Sequence, residues 1–352
     1  MKTSSHICKK IITLLVCTLL LAACRKEDSS MCLDEVQVYF TFTFTIASET
    51  ANYADIKNIN LYVFDDKGYF VTEYIDNNIS NFSADYYISC TGLQPGNYRF
   101  IAWGGKDDRY YYTTPAPFVK GQTTFNEALL MLEHAGNTIS TTIPHIFHSD
   151  ISATVVPYEN IQRFYMPLVQ HSNTINIYTV GLRANTNVYT FNIIDNNCAY
   201  KFDRSFASHS HAAFTYTAPC TKDGASQLYS TLNVLRLSAN RRVPQLQILN
   251  STTGAPLYPV GTQSGNLIEL ILNAYPQNNF ETTNVYDIVF AFTYNGDCNC
   301  DDCDCNCNCN PDPDCNCDCN GNGNNGDGST NINVTITING WQVREQGDDL
   351  IW

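Results

Sequence analysis

From residue 36 the chain alternates apolar and polar side chains with a period of two. Val36, Val38, Phe40, Phe42, Phe44 and Ile46 fall on one side, and Gln37, Tyr39, Thr41, Thr43 and Thr45 on the other. This spacing predicts a strand with one buried face. Further strands are expected at residues 60–64, 69–74, 86–90 and 97–103. Leu61-Tyr62-Val63-Phe64, then Asp65-Asp66-Lys67-Gly68, then Tyr69-Phe70-Val71 read as a hairpin in which Gly68 takes positive φ. Pro95-Gly96 suits the central positions of a type II turn leading into Tyr98. Only residues 126–134 read as a helix.

A second set of strands begins near Ile161 and covers residues 174–180, 188–194, 231–237, 245–249, 267–272 and 285–294. The last strand starts at Asn331, with Ile332, Val334, Ile336 and Ile338 on one face and Trp341 just beyond. Strands of this length between Gly, Asn and Pro turns predict an all-β chain of sandwiches. Pro157 interrupts the pattern, so one β-sandwich is expected over residues 35–156 and another over 157–352.

The amino end is of another kind. Lys2, Lys9 and Lys10 precede an apolar run from Ile11 to Ala23, and no acidic residue occurs before Glu27. The run is shorter than the roughly 20 residues that cross a bilayer, and its flanks are those of a secretory signal peptide, residues 1–23. Leu21-Ala22-Ala23-Cys24 matches a lipoprotein cleavage site, with cleavage between Ala23 and Cys24 and acylation of Cys24. Each buried methylene adds about 0.8 kcal/mol, so three acyl chains would hold the protein in a membrane almost permanently. Residues 24–34 then form a lipidated tether. In it Lys26, Glu27 and Asp28 resemble the signal that sends lipoproteins of the Bacteroidota to the outer face of the outer membrane.

Charge narrows the partners. From Cys24 onward the chain carries 17 basic and 34 acidic residues, a formal charge of −17. A nucleic-acid partner is therefore not expected.

Residues 297–328 interrupt the last two strands with a low-complexity run in which Cys alternates with Asn or Asp. The run lacks large apolar residues and cannot form a core. Cys303, Cys305, Cys307 and Cys309, and Cys315, Cys317 and Cys319, fall at spacing two, so each set would share one side of an extended chain. Clustered thiolates suit zinc or copper(I), although structural zinc sites space their cysteines more widely. An expanded repeat in an exposed loop explains the run as well. No cofactor is expected. Cys32, Cys90, Cys198 and Cys220 allow three pairings into two disulfides, or none.

No catalytic constellation emerges. The pairs His145/His148 and His209/His211 lack an H-E-x-x-H frame, no G-x-S-x-G occurs, and Gly104-Gly105-Lys106 lacks the upstream glycine of a phosphate loop. Trp103 with Tyr110-Tyr111-Tyr112 offers a platform for stacking sugars, so a surface glycan-binding lipoprotein is one reading.

The other comes from a resemblance. Residues 59–65 (INLYVFD) and 93–105 (LQPGNYRFIAWGG) are similar to the first domain of FimB-type fimbrial anchor lipoproteins, which belong to the type V pili of Bacteroidota. Residues 232–237 (LNVLRL) and 334–341 (VTITINGW) resemble landmarks of the second domain, while the cysteine run departs from the pattern. The resemblance implies two transthyretin-like β-sandwiches and a non-enzymatic, structural role at the base of a fimbrium. It implies a lipid anchor in the outer membrane and a pilin partner joined by strand exchange. Residues 36–46 and 332–343 are the candidate edges for that exchange.

Overall fold

The computed structural model describes residues 36–42, 56–83, 85–157, 161–182, 187–207, 212–223, 227–295 and 331–343. Its first strands are β1 (Val36–Phe42), β2 (Ile59–Asp65), β3 (Phe70–Asp76), β4 (Tyr87–Cys90), β5 (Gly96–Gly104), β6 (Tyr111–Thr114) and β7 (Leu129–Leu132). Then come β8 (Thr138–Ile139), β9 (Phe147–Val155), β10 (Gln162–Gln170), β11 (Ser172–Val180), β12 (Tyr189–Asp195), β13 (Ala199–Lys201) and β14 (Phe214–Pro219). The remaining strands are β15 (Thr221–Asp223), β16 (Gln227–Leu235), β17 (Gln245–Asn250), β18 (Pro256–Tyr258), β19 (Val285–Asn295), β20 (Asn331–Ile338) and β21 (Trp341–Gln342), with helix α1 (Leu267–Ala274) before β19. The chain is all-β, as its alternation predicts.

Seven strands run in the order β3-β2-β5-β9-β10-β1-β4. At β9 and β10 they touch only through Val169↔His148 and Gln170↔Phe147. The sheet therefore turns a corner there and folds over itself. Val36, Ile88, Met166 and Leu168 from one half meet Leu61, Val63, Phe100 and Ala102 from the other in one apolar core. β1 is held between β10, parallel to it, and β4, antiparallel.

β2 and β5 are buried on both faces, because their opposite-facing residues Tyr62, Phe64, Ile101 and Trp103 enter a second and larger core. That core fills the next sandwich, formed by sheets β15-β16-β11-β19-β20-β21 and β18-β17-β12-β14-β8. Strand β13 pairs with β7, and β14 pairs with β8, so chain from before residue 140 is built into the second half. The two sandwiches share side chains across their junction.

Four expectations change. The boundary expected at Pro157 lies between β9 and β10, strands of one sheet, whereas the chain leaves that sheet at His171. Residues 267–272 form helix α1, whose buried Leu267, Ile268, Leu270, Ile271 and Ala274 follow helical spacing. The Asn266 side chain accepts a hydrogen bond from the Glu269 N–H, which caps the helix. Conversely, the expected helix at 126–134 contains strand β7, because Leu130 and Leu132 insert into the core while β6 and β13 pair with it on either side. Gly96 opens β5 without positive φ; Gly92 takes that conformation instead, at φ 78°. The Tyr98 hydroxyl donates to the Gln94 carbonyl at 2.8 Å and secures this loop.

Candidate functional site

Strand addition needs a sheet edge whose backbone groups are unused. The two expected edges differ in this respect. Over Val36–Tyr39 both sides of β1 are occupied, by β10 and β4. This stretch of the first strand is spent on the protein's own sandwich.

β20 is the better edge. It pairs along its full length with β19, from Asn295↔Asn331 to Ile288↔Ile338. On its other side β21 meets only Thr337 and Ile338, and the Val343 N–H donates to the Ile336 carbonyl at 2.7 Å. In an antiparallel strand the N–H and C=O of one residue point to the same side, alternating along the chain. The even-numbered residues of β20 therefore turn these groups away from β19. Among the described residues no strand pairs with this edge at Ile332 and Val334.

The local sequence builds this edge. Asn339 and Gly340 take φ 49° and 81°, the two positive values of a type I′ turn, and so reverse the chain after β20. The Asn339 side chain accepts from the Asp287 N–H at 2.7 Å and pins the turn to β19. Ile336 and Ile338 anchor the inner face in the core. Beyond the turn Trp341 is 57% exposed and stacks on Tyr275, itself 40% exposed, with ring centroids 5.5 Å apart and planes at 15°. An exposed aromatic pair thus lies at the covered end of β20, opposite Ile338, where it offers apolar surface.

The other sequence candidates are placed as follows. Ala23, Cys24, Lys26, Glu27 and Asp28 lie outside the described residues, as do Cys32, His209, His211 and the whole run 297–328. That run leaves the fold after β19 and rejoins it at β20, at paired residues. No disulfide joins Cys90, Cys198 and Cys220. Burial raises the Cys198 thiol to about 11 and the Cys220 thiol to about 12, which keeps both protonated. Among the described residues no three His, Cys, Asp or Glu side chains are grouped to hold a metal. The sugar platform dissolves: Trp103 is 0% exposed, against His148, Tyr200 and Phe202, and Tyr111 is buried with its hydroxyl donating to the Pro144 carbonyl at 2.9 Å. Asp107 accepts from the Arg109 guanidinium, which lowers its pKa.

One cluster escaped the sequence reading. Arg236 is buried where the chain crosses between sandwiches. Its guanidinium donates to the carbonyls of Gln170 and Phe280 and to Asn284 Oδ1 at 2.6 Å. Asn173 accepts from the Leu237 N–H and donates to the Thr283 carbonyl. A lone arginine inside the apolar stretch Leu232–Leu237 was the available signal.

The family model described as fimbrillin-A associated anchor proteins Mfa1 and Mfa2 matches residues 28–347. Among solved structures, the fimbrial anchor protein Mfa2 from Porphyromonas gingivalis superposes with a TM-score of 0.64 at 19% identity, covering 88% of this chain and 98% of its own. A Bacteroides thetaiotaomicron protein proposed to bind polysaccharide gives 0.65 at 18% identity, with coverage of 90% and 100%. A proposed adhesin from Bacteroides ovatus gives 0.58 at 19%, with coverage of 74% and 90%. These likenesses show a shared fold. No curated protein matches. The match over nearly the whole length after the amino end, together with the two-sandwich fold, assigns the chain to the family of fimbrillin-A associated anchor proteins.

Proposed function

We propose that this protein anchors a fimbrium to the outer membrane. Acyl chains on Cys24 hold it in the bilayer, and Lys26, Glu27 and Asp28 direct it to the cell surface. A pilin joins it by adding a strand to β20. The role is structural, with no reaction catalysed.

The observation that carries the reading is the edge of β20 at Ile332 and Val334, which no described strand covers, on the same strand whose far end meets the exposed Trp341–Tyr275 pair. Backbone hydrogen bonds along such an edge give strength, and alternating side chains set register. Family membership supports a fimbrial, surface-associated setting. No described helix is long and apolar enough to cross a membrane, and attachment through lipid requires none.

Proline scanning separates edge use from fold. Val334→Pro deletes an N–H that points away from β19 and that no described residue accepts, and proline is tolerated on a free edge. Thr335→Pro deletes an N–H that points to β19. The expected result for Val334→Pro is a protein that unfolds within a few degrees of the parent yet recovers less than a tenth of the pilin in pull-downs. Pilin recovery at the parental level would rule out this edge.

A further inference from the structure

The outer face of the six-stranded sheet carries a feature that anchoring does not use. Tyr178 on β11 and Tyr229 on β16 are cross-strand partners, with ring centroids 5.0 Å apart and planes inclined by 32°. They are 36% and 41% exposed, on a face that is otherwise largely hydroxyl and amide. Thr221 on β15 is the register partner of Tyr229, and Val289 on β19 that of Tyr178. Together with Gln227, Leu228 and Lys222, three of these residues (Tyr178, Thr221 and Tyr229) line a depression of about 470 Å³.

Beside the rings runs a row of fixed polar groups. The hydroxyls of Tyr229 and Thr231 lie 2.7 Å apart, Thr231 donates to Asn176 Oδ1 at 2.8 Å, and Asn176 donates to Asp287 Oδ1 at 2.8 Å. Each group is held by its neighbour, so their orientations are set before any ligand arrives. Aromatic faces beside pre-oriented hydroxyl, amide and carboxylate groups are what a pyranose needs. Its C–H face packs on the rings while its hydroxyls exchange hydrogen bonds with the polar row. The depression falls within the roughly 300–1,000 Å³ range of small-ligand sites. Two rings offer too little apolar area to hold a protein partner, which buries about 800 Å² per side.

We propose that the depression at Tyr178 and Tyr229 binds a sugar unit of a neutral polysaccharide. The choice of a neutral glycan follows from charge. Lys222 at the depression is offset by Asp287 at the end of the polar row, so these groups offer no net charge, and the strongly acidic chain after residue 23 disfavours uronic-acid or sulfated polymers. This site is independent of the β20 edge and of the anchor reading. A cross-strand tyrosine pair also steadies a sheet by about 0.2–1 kcal/mol, so the test must separate binding from stability.

Affinity electrophoresis of the whole chain in mild detergent does so, using gels cast with starch, xylan, mannan or hydroxyethyl cellulose, and with alginate as an anionic contrast. Retardation is expected in at least one neutral gel and not in alginate. Replacing both rings, Tyr178→Ala with Tyr229→Ala, should weaken that retardation at least tenfold. The paired Phe replacements keep the ring faces and should stay within about threefold of the parent, and Trp341→Ala should leave binding unchanged. Circular dichroism and the unfolding midpoint report whether the double variant folds. If it does not, Asp287→Ala, which leaves both rings, must weaken the same retardation at least threefold. Mobility unchanged in every neutral gel, retardation by alginate alone, or binding that survives these replacements would overturn the proposal.

Discussion

Two imidazoles lie in the apolar wall around Trp103, and each is kept neutral by its surroundings. His148 is 4.5 Å from the Trp103 ring, and its Nε2–H donates to the Phe202 carbonyl, 2.8 Å away, which makes Nε2 the protonated nitrogen. Burial pushes its pKa down to about 4. His171 lies well below the usual range, first from burial and then from the positive charge of Arg236. In the unfolded chain both titrate near 6.5. Between that value and about 4 the unfolded chain binds more protons than the folded one. Stability is therefore complete above about pH 6.5 and falls as pH is lowered, by up to about 1.4 kcal/mol per pH unit for each histidine. Urea midpoints should drop between pH 7.5 and 5, and His148→Gln should flatten the slope by about half. A midpoint constant over that range would contradict the burial of neutral rings. Neighbouring Gly105 shows the same tightness in the backbone: at φ 75°, an added Cβ would sit 2.0 Å from the His145 carbonyl oxygen.

At the scale of elements, the strands expected from period-two alternation lie within about four residues of their observed bounds, because one face of each meets a core and the other does not. Strands such as β9 and β14 were not marked. Two runs without alternation were still marked by their turns, and two other segments were misread. β2 and β5 have two buried faces, so their runs carry no alternation, and only their flanking turns marked them. Leu267–Leu272 looked like a strand from its branched residues, yet Asn266 with Glu269 three places on is an N-terminal capping pattern. β7 has helix-forming composition and is held extended by its neighbours on both sides, which local sequence cannot express. The candidate site was legible in part. The alternation of β20 was visible, but the edge expected over 332–343 runs through the Asn339-Gly340 turn that ends this strand, and pairing, a long-range property, decides which edge is free. The Tyr178–Tyr229 pair was invisible for the same reason, since 51 residues separate two rings that the register brings together. The run 297–328 offers a test at this scale. It joins strands that pair up to Asn295↔Asn331, so replacing it with a short Asn-Gly linker shortens a loop without touching the ladder. Loop-closure entropy predicts a gain of about 1–2 kcal/mol. A lower unfolding midpoint, or a metal-dependent one in the parent, would show that the run contributes structure.

For the whole molecule, the junction between sandwiches decides whether load on one is felt by the other. Gln170, His171, Ser172 and Asn173 are all buried, and Arg236 ties them to the segment around Phe280 and Asn284. Tyr200 adds a bond from its hydroxyl to the His171 carbonyl at 2.9 Å. Arg236→Ala would leave several buried carbonyls without a donor, at a cost of about 3–5 kcal/mol. Chemical denaturation should show that loss as one cooperative transition. A loss under about 1 kcal/mol, or two separate transitions, would mean the sandwiches are held mainly by their apolar contacts. Under the proposed function, such a junction would carry force applied at β20 to the membrane.

The most direct test of anchoring is Cys24→Ala in the native host, with fimbriae quantified in cell and medium fractions. If Cys24 carries the anchor, fimbriae still assemble and move from the cells into the medium. Fimbriae that stay on the cells in parental amount would contradict it.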